Sequence, residues 1–301
     1  MTILQRRRQF WRTYVRDVPF VIRSVPNGME SRKKAGVMTK EKKDHAKQVR
    51  FLRVVSIIIL VAAALLFGGY MYQQHKNDLA EAEYAKMREK ENKPKEKKEE
   101  PAATPLHDFA SLKEQNEDVY GWVNVPNTIV DYPVLQTEED NYYLNHDINH
   151  VQTIAGAIYS NKCNNEDMSD GITILYGHDM RADTMFGSLH LFDEETFFQQ
   201  NETMTFETAD ALYTYQIFGV YNYNDNYIPA MFDLKSTDGV QQFLDSLKSC
   251  AEEGRSITHV REGVEVTAED KLLVLSTCIG SQSDRRFLVV GKLVDTTSYA
   301  K

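Results

Sequence analysis

The chain has 301 residues, 42% of them hydrophobic and 26% charged, which suits one or two globular units with accessory segments and excludes a disordered or collagen-like polymer. Its net charge of −9 is divided unevenly: residues 1–53 hold 15 Lys/Arg against 4 Asp/Glu (+11), residues 74–101 hold 8 against 8, and residues 102–301 hold 12 against 32 (−20). So acidic a C-terminal region repels a phosphate backbone and excludes nucleic acid as its partner, while three cysteines without a CxxC pair exclude a disulfide scaffold and a zinc site. No metal ligand set is evident and no cofactor is expected.

Taken in chain order, residues 1–53 form a basic arm. Arg6, Arg7, Arg8, Arg12, Arg16 and Arg23 alternate with Phe10, Trp11, Tyr14, Val15 and Phe20, a pattern suited either to lying on an anionic membrane surface or to a solvated tail that fixes topology. Residues 54–72, VVSIIILVAAALLFGGYMY, carry no charge over 19 positions. At 1.5 Å per residue such a helix is ~28 Å long, which predicts a single membrane-spanning signal-anchor helix. A cleaved signal peptide fits poorly, because 53 residues precede the run and bulky Tyr70, Met71 and Tyr72 follow Gly68 and Gly69 where a small-residue cleavage site belongs. The +11 segment ahead of the helix places the N-terminus in the cytoplasm and the acidic region outside the cell. Residues 73–106, dense in both charges and ending near Pro101 and Pro105, read as a helical or extended extracellular spacer.

From residue 107 to 301 the composition shifts to aromatic and β-branched runs separated by turn signals, which predicts a mainly β domain. Candidate strands are 121–125, 128–135, 155–159, 172–176, 204–208, 212–221, 271–277 and 287–294, with turns at 126–127 and 224–226. Helices are expected at 108–116 and at 237–253, where Val240, Phe243, Leu244 and Leu247 recur at helical spacing behind a Ser236/Thr237/Asp238 cap.

Three residues carry chemistry in this pattern: His178 in ILYGHDM, Cys278 in LVLSTCIGS and Arg286 in SDRRFLVVGKLV. His178 and Cys278 each directly follow an apolar strand, and Arg286 opens the next strand after a short hairpin-like loop. A thiolate is a nucleophile, an imidazole can protonate a leaving amine, and a guanidinium can donate to a carbonyl oxygen that becomes negative on attack. By themselves such residues are more often a buried core cysteine and a turn histidine.

The segments around them resemble those of a class B sortase. VLSTC at 274–278 is similar to the family's TLxTC element, with Val274 in place of the first Thr, and YGH at 176–178 is similar to its catalytic-histidine strand end. The resemblance extends over roughly 107–295 and includes GWVNVPNTIVDYPVLQ at 121–136, DNYYLNHD at 140–147, GAIYSN at 156–161, YGHDMRADTMFGSLHLF at 176–192 and NYIPAMFD at 226–233. It implies an eight-stranded sortase β-barrel with N-terminal helices and one long helix between late strands. It also implies a membrane-anchored cysteine transpeptidase in which Cys278 forms a thioester with the sorting motif of a surface protein, His178 moves the proton, and Arg286, preferred over the adjoining Arg285, stabilises the oxyanion. Tyr176, Tyr227, Ile228, Ser276 and Thr277 match positions that line the class B peptide groove. The implied partners are surface-protein sorting peptides of the NPxT, LPxT or SPxT kind and an amine acceptor, either of a peptidoglycan precursor or of a pilin, at the membrane of a Gram-positive cell.

Ile279 stands where some class B members have an acidic residue that contacts substrate. Cys163 and Cys250 are either buried thiols or a disulfide pair. Two other readings stay open: an L,D-transpeptidase, whose SxGC pattern lacks its Gly in Ser276-Thr277-Cys278, and an inactive sortase-like scaffold or sensor. Because the arm lies across the membrane from the domain in this reading, deleting residues 1–30 is expected to leave peptide cleavage by the extracellular domain unchanged, as measured by product formation from a fluorogenic sorting peptide.

Overall fold

The computed structural model describes residues 30–91 and 104–300, so the arm pattern at 6–23 and the end of the expected spacer, 92–103, lie outside the described residues. The first helix, α1 (Glu30–Glu91), runs on either side of a division of the chain into two units, Met1–Gly68 and Gly69–Lys301. In the first unit the apolar stretch of α1 buries nothing: Leu60, Leu65 and Leu66 are 69%, 72% and 77% exposed. A stripe-less apolar helix of this kind is not the core helix of a folded domain, and it is long and apolar enough to cross a membrane.

In the second unit α1 behaves differently. Asn77, Ala80, Tyr84, Met87 and Glu91 are buried, a spacing of three and four residues that keeps one face of the helix on the domain. Tyr84 meets the Tyr132 ring edge-on at 5.5 Å and accepts a hydrogen bond from Ile148 N. Asn77 Oδ1 accepts from Ile154 N and Glu91 Oε2 from Asp108 N. Arg88 lies over the Tyr132 ring at 4.8 Å and pairs with Glu81 at 2.6 Å. The part of the expected spacer from residue 73 to 91 thus contributes to the core. Only three of its five buried positions are apolar, and the surrounding charges mask the stripe in the sequence.

Next come α2 (Phe109–Gln115), capped by Asp108 through Ser111 N, and the strands β1 (Val119–Asn124), β2 (Asp131–Leu135), β3 (Ile158–Tyr159) and β4 (Ile172–Tyr176). After a 3-10 segment (Gly187–Asp193) follow α3 (Glu195–Gln200), β5 (Thr203–Glu207), β6 (Ala211–Asn224), α4 (Ile228–Met231), α5 (Thr237–Glu252), β7 (His259–Val260), β8 (Leu272–Ile279) and β9 (Gln282–Ser298). The hydrogen-bonded order β5-β1-β2-β3-β4-β8-β9-β6 returns on itself through β6–β5 pairing, which closes an eight-stranded barrel of the expected kind, and β7 is appended to β6. Strand 128–135 begins only at Asp131, because Asn127 adopts a left-handed conformation (φ 63°) and Thr128 Oγ1 bonds back to Val125 O to make a turn.

Side chains of β4, β8 and β9 alternate between two cores. Leu175, Leu273, Leu275, Phe287 and Val289 face the barrel interior with Trp122, Phe186 and Phe206. Ile172, Ile174, Val274, Leu288 and Val290 face outward, where Val240, Phe243 and Leu247 of α5 cover them. Helix α5 starts at Ser236, whose Oγ accepts from Gly239 N, and a Cβ on Gly239 would collide with the Asp233 carbonyl, so the helix seats closely only with glycine there. Val274, the departure from the usual element, is fully buried under this helix. Given the buried Tyr84 anchor, Tyr84→Ala is expected to destabilise the domain by about 3 kcal/mol, read as a lowered urea midpoint, whereas a true spacer residue would leave the midpoint unchanged.

Candidate active site

The outward stripe of the three strands does not end where α5 stops covering it. Following the alternation, Ile172 and Ile174 lead to Tyr176 and on to His178, and Leu272 and Val274 lead to Ser276 and Cys278. Val290 and Leu288 lead to Arg286. Tyr176 is registered beside Ser276 on the parallel pair β4–β8, and Gly177 N donates to Ser276 O at 3.3 Å. Cys278 is the direct cross-strand partner of Arg286 on the antiparallel pair β8–β9. Antiparallel partners project to the same face, so one strand end presents the thiol and its neighbour the guanidinium. Beyond Cys278 the register breaks: Ile279 pairs with Gln282, leaving Ser283, Asp284 and Arg285 as a bulge that aims Arg286.

All eight residues singled out in the sequence, His178, Cys278, Arg286, Tyr176, Tyr227, Ile228, Ser276 and Thr277, line one cavity of about 230 Å³. Thr277 does so from the inner stripe, since it is registered opposite Phe287 and its Oγ1 is buried. Arg285 is turned away, paired in the register with Asn224 and 3.9 Å from Asp284. Ile279 is buried in the inner core.

The opposite wall comes from segments far apart in the chain. Asn141, in a left-handed conformation (φ 63°), precedes the short 3-10 turn Tyr142–Leu144, whose last residue Leu144 joins it in the wall. The 224–226 turn feeds α4, whose start places Tyr227 and Ile228 over the cavity. Asn141, Leu144, Tyr159 and the 224–226 turn had no role assigned from sequence, whereas Tyr227 and Ile228 were expected at a peptide groove; the signal for the former was the resemblance of DNYYLNHD and GAIYSN and the turn composition at 224–226.

Hydrogen bonds orient the side chains at this cavity. His178 Nε2 lies 2.7 Å from Leu144 O, and because a carbonyl only accepts, Nε2 carries a hydrogen and the neutral ring has its lone pair on Nδ1. Arg286 Nη1 donates to Arg285 O at 2.8 Å and to Ser283 O at 3.4 Å, holding the guanidinium by one nitrogen against its own bulge. Asn161 Nδ2 donates to Tyr227 OH at 2.9 Å. Burial pushes the Tyr159 and Tyr176 phenols well up and Tyr227 to about 12, so all three stay neutral and act as hydrogen-bond donors and acceptors. The Tyr176 hydroxyl is buried with no hydrogen-bond partner among the described residues. Such a cavity suits an extended, uncharged peptide stretch, with a thiol, an imidazole and a guanidinium at one end.

The sequence and fold were compared with known proteins. The family model for the sortase domain matches residues 123–294. The chain is 32% identical over 250 residues to sortase B of Staphylococcus aureus, covering 81% of this chain and 97% of that protein. Among solved structures, the Staphylococcus aureus sortase B–substrate complex is similar with a TM-score of 0.61 at 30% identity, covering 73% of this chain and 99% of the other. Clostridium perfringens sortase B is similar with a TM-score of 0.55 at 30% identity, covering 62% of this chain and all of the other.

All three cysteines are free thiols: Cys278 exposed, Cys163 half-buried with Sγ 4.0 Å from Tyr227 OH, and Cys250 buried with Sγ donating to Asn222 O at 3.3 Å. Burial raises the Cys163 and Cys250 thiols above their ordinary range, which lowers their thiolate fraction. Iodoacetamide is therefore expected to label Cys278 first, Cys163 slowly and Cys250 only on unfolding, as read by peptide mapping over time.

Proposed function

Because the chain belongs to the sortase family, and within it to the class B sortases, whose activity is transpeptidation, we propose that it cuts a C-terminal sorting motif through a thioester on Cys278 and passes the acyl group to an amine of the cell-wall precursor. The observation that carries this reading is the cross-strand pairing of Cys278 with Arg286, with His178 two residues beyond the Tyr176–Ser276 register pair at the same cavity.

The steps follow from the atoms present. The Cys278 thiolate attacks the carbonyl carbon of the scissile peptide bond, and the oxygen that gains the electron pair is met by donors of Arg286. With Nε2 held by the Leu144 carbonyl, Nδ1 is the nitrogen that can exchange a proton, so protonated His178 gives its Nδ1 proton to the departing amine. The thioester remains. An incoming amine then attacks it, His178 takes the proton back, the new amide leaves and the thiolate is restored. Tyr176, Tyr227, Ile228 and Ser276 line the path of the peptide, and the unpartnered Tyr176 hydroxyl is available to a backbone carbonyl of it.

The +11 arm ahead of the apolar helix orients the chain with the catalytic unit outside a Gram-positive cell, where surface proteins and cell-wall amines meet. The −20 charge of the domain biases encounter toward cationic partners over ~8–10 Å at physiological salt. Intact-mass spectrometry of the protein with a panel of sorting peptides is expected to show an acyl adduct on Cys278 that an added amine discharges. Cys278→Ala and His178→Ala are expected to stay folded and inactive, Arg286→Ala to lose about 10²–10³-fold in turnover, and Arg285→Ala to change little. Transpeptidation by Cys278→Ala would overturn the proposal.

A further inference from the structure

One titratable group outside the cavity touches the backbone of Cys278. His190, in the 3-10 segment Gly187–Asp193, has Nε2 3.0 Å from Cys278 O and Nδ1 3.3 Å from both carboxylate oxygens of Asp193. Nε2 is also 3.7 Å from Asp179 Oδ2, in the loop directly after His178. The ring stacks on Phe287 with centroids 4.7 Å apart and planes 25° apart, and its side chain is 22% exposed. On the far side of Asp193, His259 of β7 bonds to the Asp193 carbonyl at 2.9 Å. The faces of His190 are thus two carboxylates, one carbonyl and the negative face of an aromatic ring.

A carbonyl and a carboxylate accept hydrogen bonds and cannot donate them, while a neutral imidazole has one N–H and one lone pair. With an acceptor at each nitrogen, only the imidazolium satisfies both contacts. A neutral ring would set a lone pair against either Cys278 O or the Asp193 carboxylate. The Phe287 ring favours the cation as well.

We propose that His190 is a positioning residue for the nucleophile: as an imidazolium it clamps the carbonyl of Cys278, fixing the end of β8 and offsetting the Asp179 and Asp193 carboxylates, which unopposed would disfavour the thiolate. This rests on Cys278 being the nucleophile. His190 reaches the reaction through Cys278 and Phe287, the neighbour of Arg286, and does not line the cavity.

Electrostatics point the same way. Burial works against the charged ring, but the hydrogen bonds to Asp193 and Cys278 O and the charges of Asp193 and Asp179 outweigh it and hold the His190 pKa above its ordinary value. A raised histidine keeps its proton below the usual titration range and through it, and loses it as pH climbs past the folded value. The clamp therefore persists to higher pH than the charge of an ordinary histidine and is released as pH climbs past the folded value.

The test uses the full chain in detergent with its eight histidines 15N-labelled. Long-range nitrogen–proton spectra are expected to show His190 doubly protonated at pH 7, and Asp193→Asn to lower the pH at which it loses its proton. His190→Gln keeps an N–H donor for the Cys278 carbonyl but removes the charge. It is expected to move the pH profile of Cys278 alkylation upward by about one unit and to lower kcat roughly tenfold with KM within about twofold. A neutral His190 at pH 7, or an unshifted alkylation profile in His190→Gln with a wild-type melting temperature, overturns the proposal. Ring protonation and alkylation need no peptide substrate, so they decide on the clamp even if every sorting peptide fails, an outcome that would count only against the transpeptidase reading.

Discussion

Successive side chains of a strand point to opposite faces, and β4, β8 and β9 lie side by side with that alternation in phase. Each outward side chain must therefore be covered or left to the solvent. Helix α5 covers Ile172, Ile174, Val274, Leu288 and Val290, and the same stripe continues past the helix as Tyr176, Ser276, Cys278 and Arg286, which line the cavity. The candidate site is the end of that packed interface beyond the helix. A one-residue slip of β8 against either neighbour would send Cys278 inward and bring Thr277 out, so the inner core and the site depend on one register.

Closure of the barrel is what makes that register stiff. With β5 paired to both β1 and β6, no edge among these eight strands is free, and a slip in one pair would have to propagate around the ring. The two faces of the β4–β8–β9 wall are packed independently, by Phe186, Phe206 and Trp122 inside and by Phe243 and Leu247 outside. A buried polar knot adds a further tie: the Glu207 carboxylate receives His107, Leu106 N and Tyr299 OH, and His107 stacks on Trp122 at 4.2 Å. It pins the entry and exit segments of the domain to β5 and β1, since breaking it would leave a carboxylate buried without partners.

Charge is distributed in keeping with this division of labour. Although the domain is strongly acidic, the cavity is lined by neutral phenols, amides and hydroxyls, with Arg286 and His178 as its basic groups and Asp225 as its acid. Long-range acidity acts on encounter, while inside the cavity hydrogen-bond geometry decides what fits. Asp179 and Asp193 are both engaged by His190, which also contacts the Cys278 carbonyl.

Much of this was legible in the amino-acid order. The uncharged 54–72 run, the strand at 172–176, the amphipathic helix from Thr237 and the placement of Cys278 and His178 at strand ends follow from local patterns, because period and turn chemistry act over a few residues, whereas Arg286 lies inside β9, which starts at Gln282 and not at 287 as expected. Other features came only with the closed barrel. The stripe Asn77–Ala80–Tyr84–Met87–Glu91 is too polar to read as a core face until Tyr132 and Ile148 are set against it. Leu144 becomes the anchor of His178 across 34 residues, and His190 the clamp on Cys278 across 88. Sequence by itself determined most of the strands, the helix from Thr237, the chemistry-bearing side chains and the family resemblance, but not α3, α4 or β7. Tertiary structure decided which carbonyls and carboxylates face those side chains, because such partners are joined by the return of distant strands to one ring and by no periodicity along the chain.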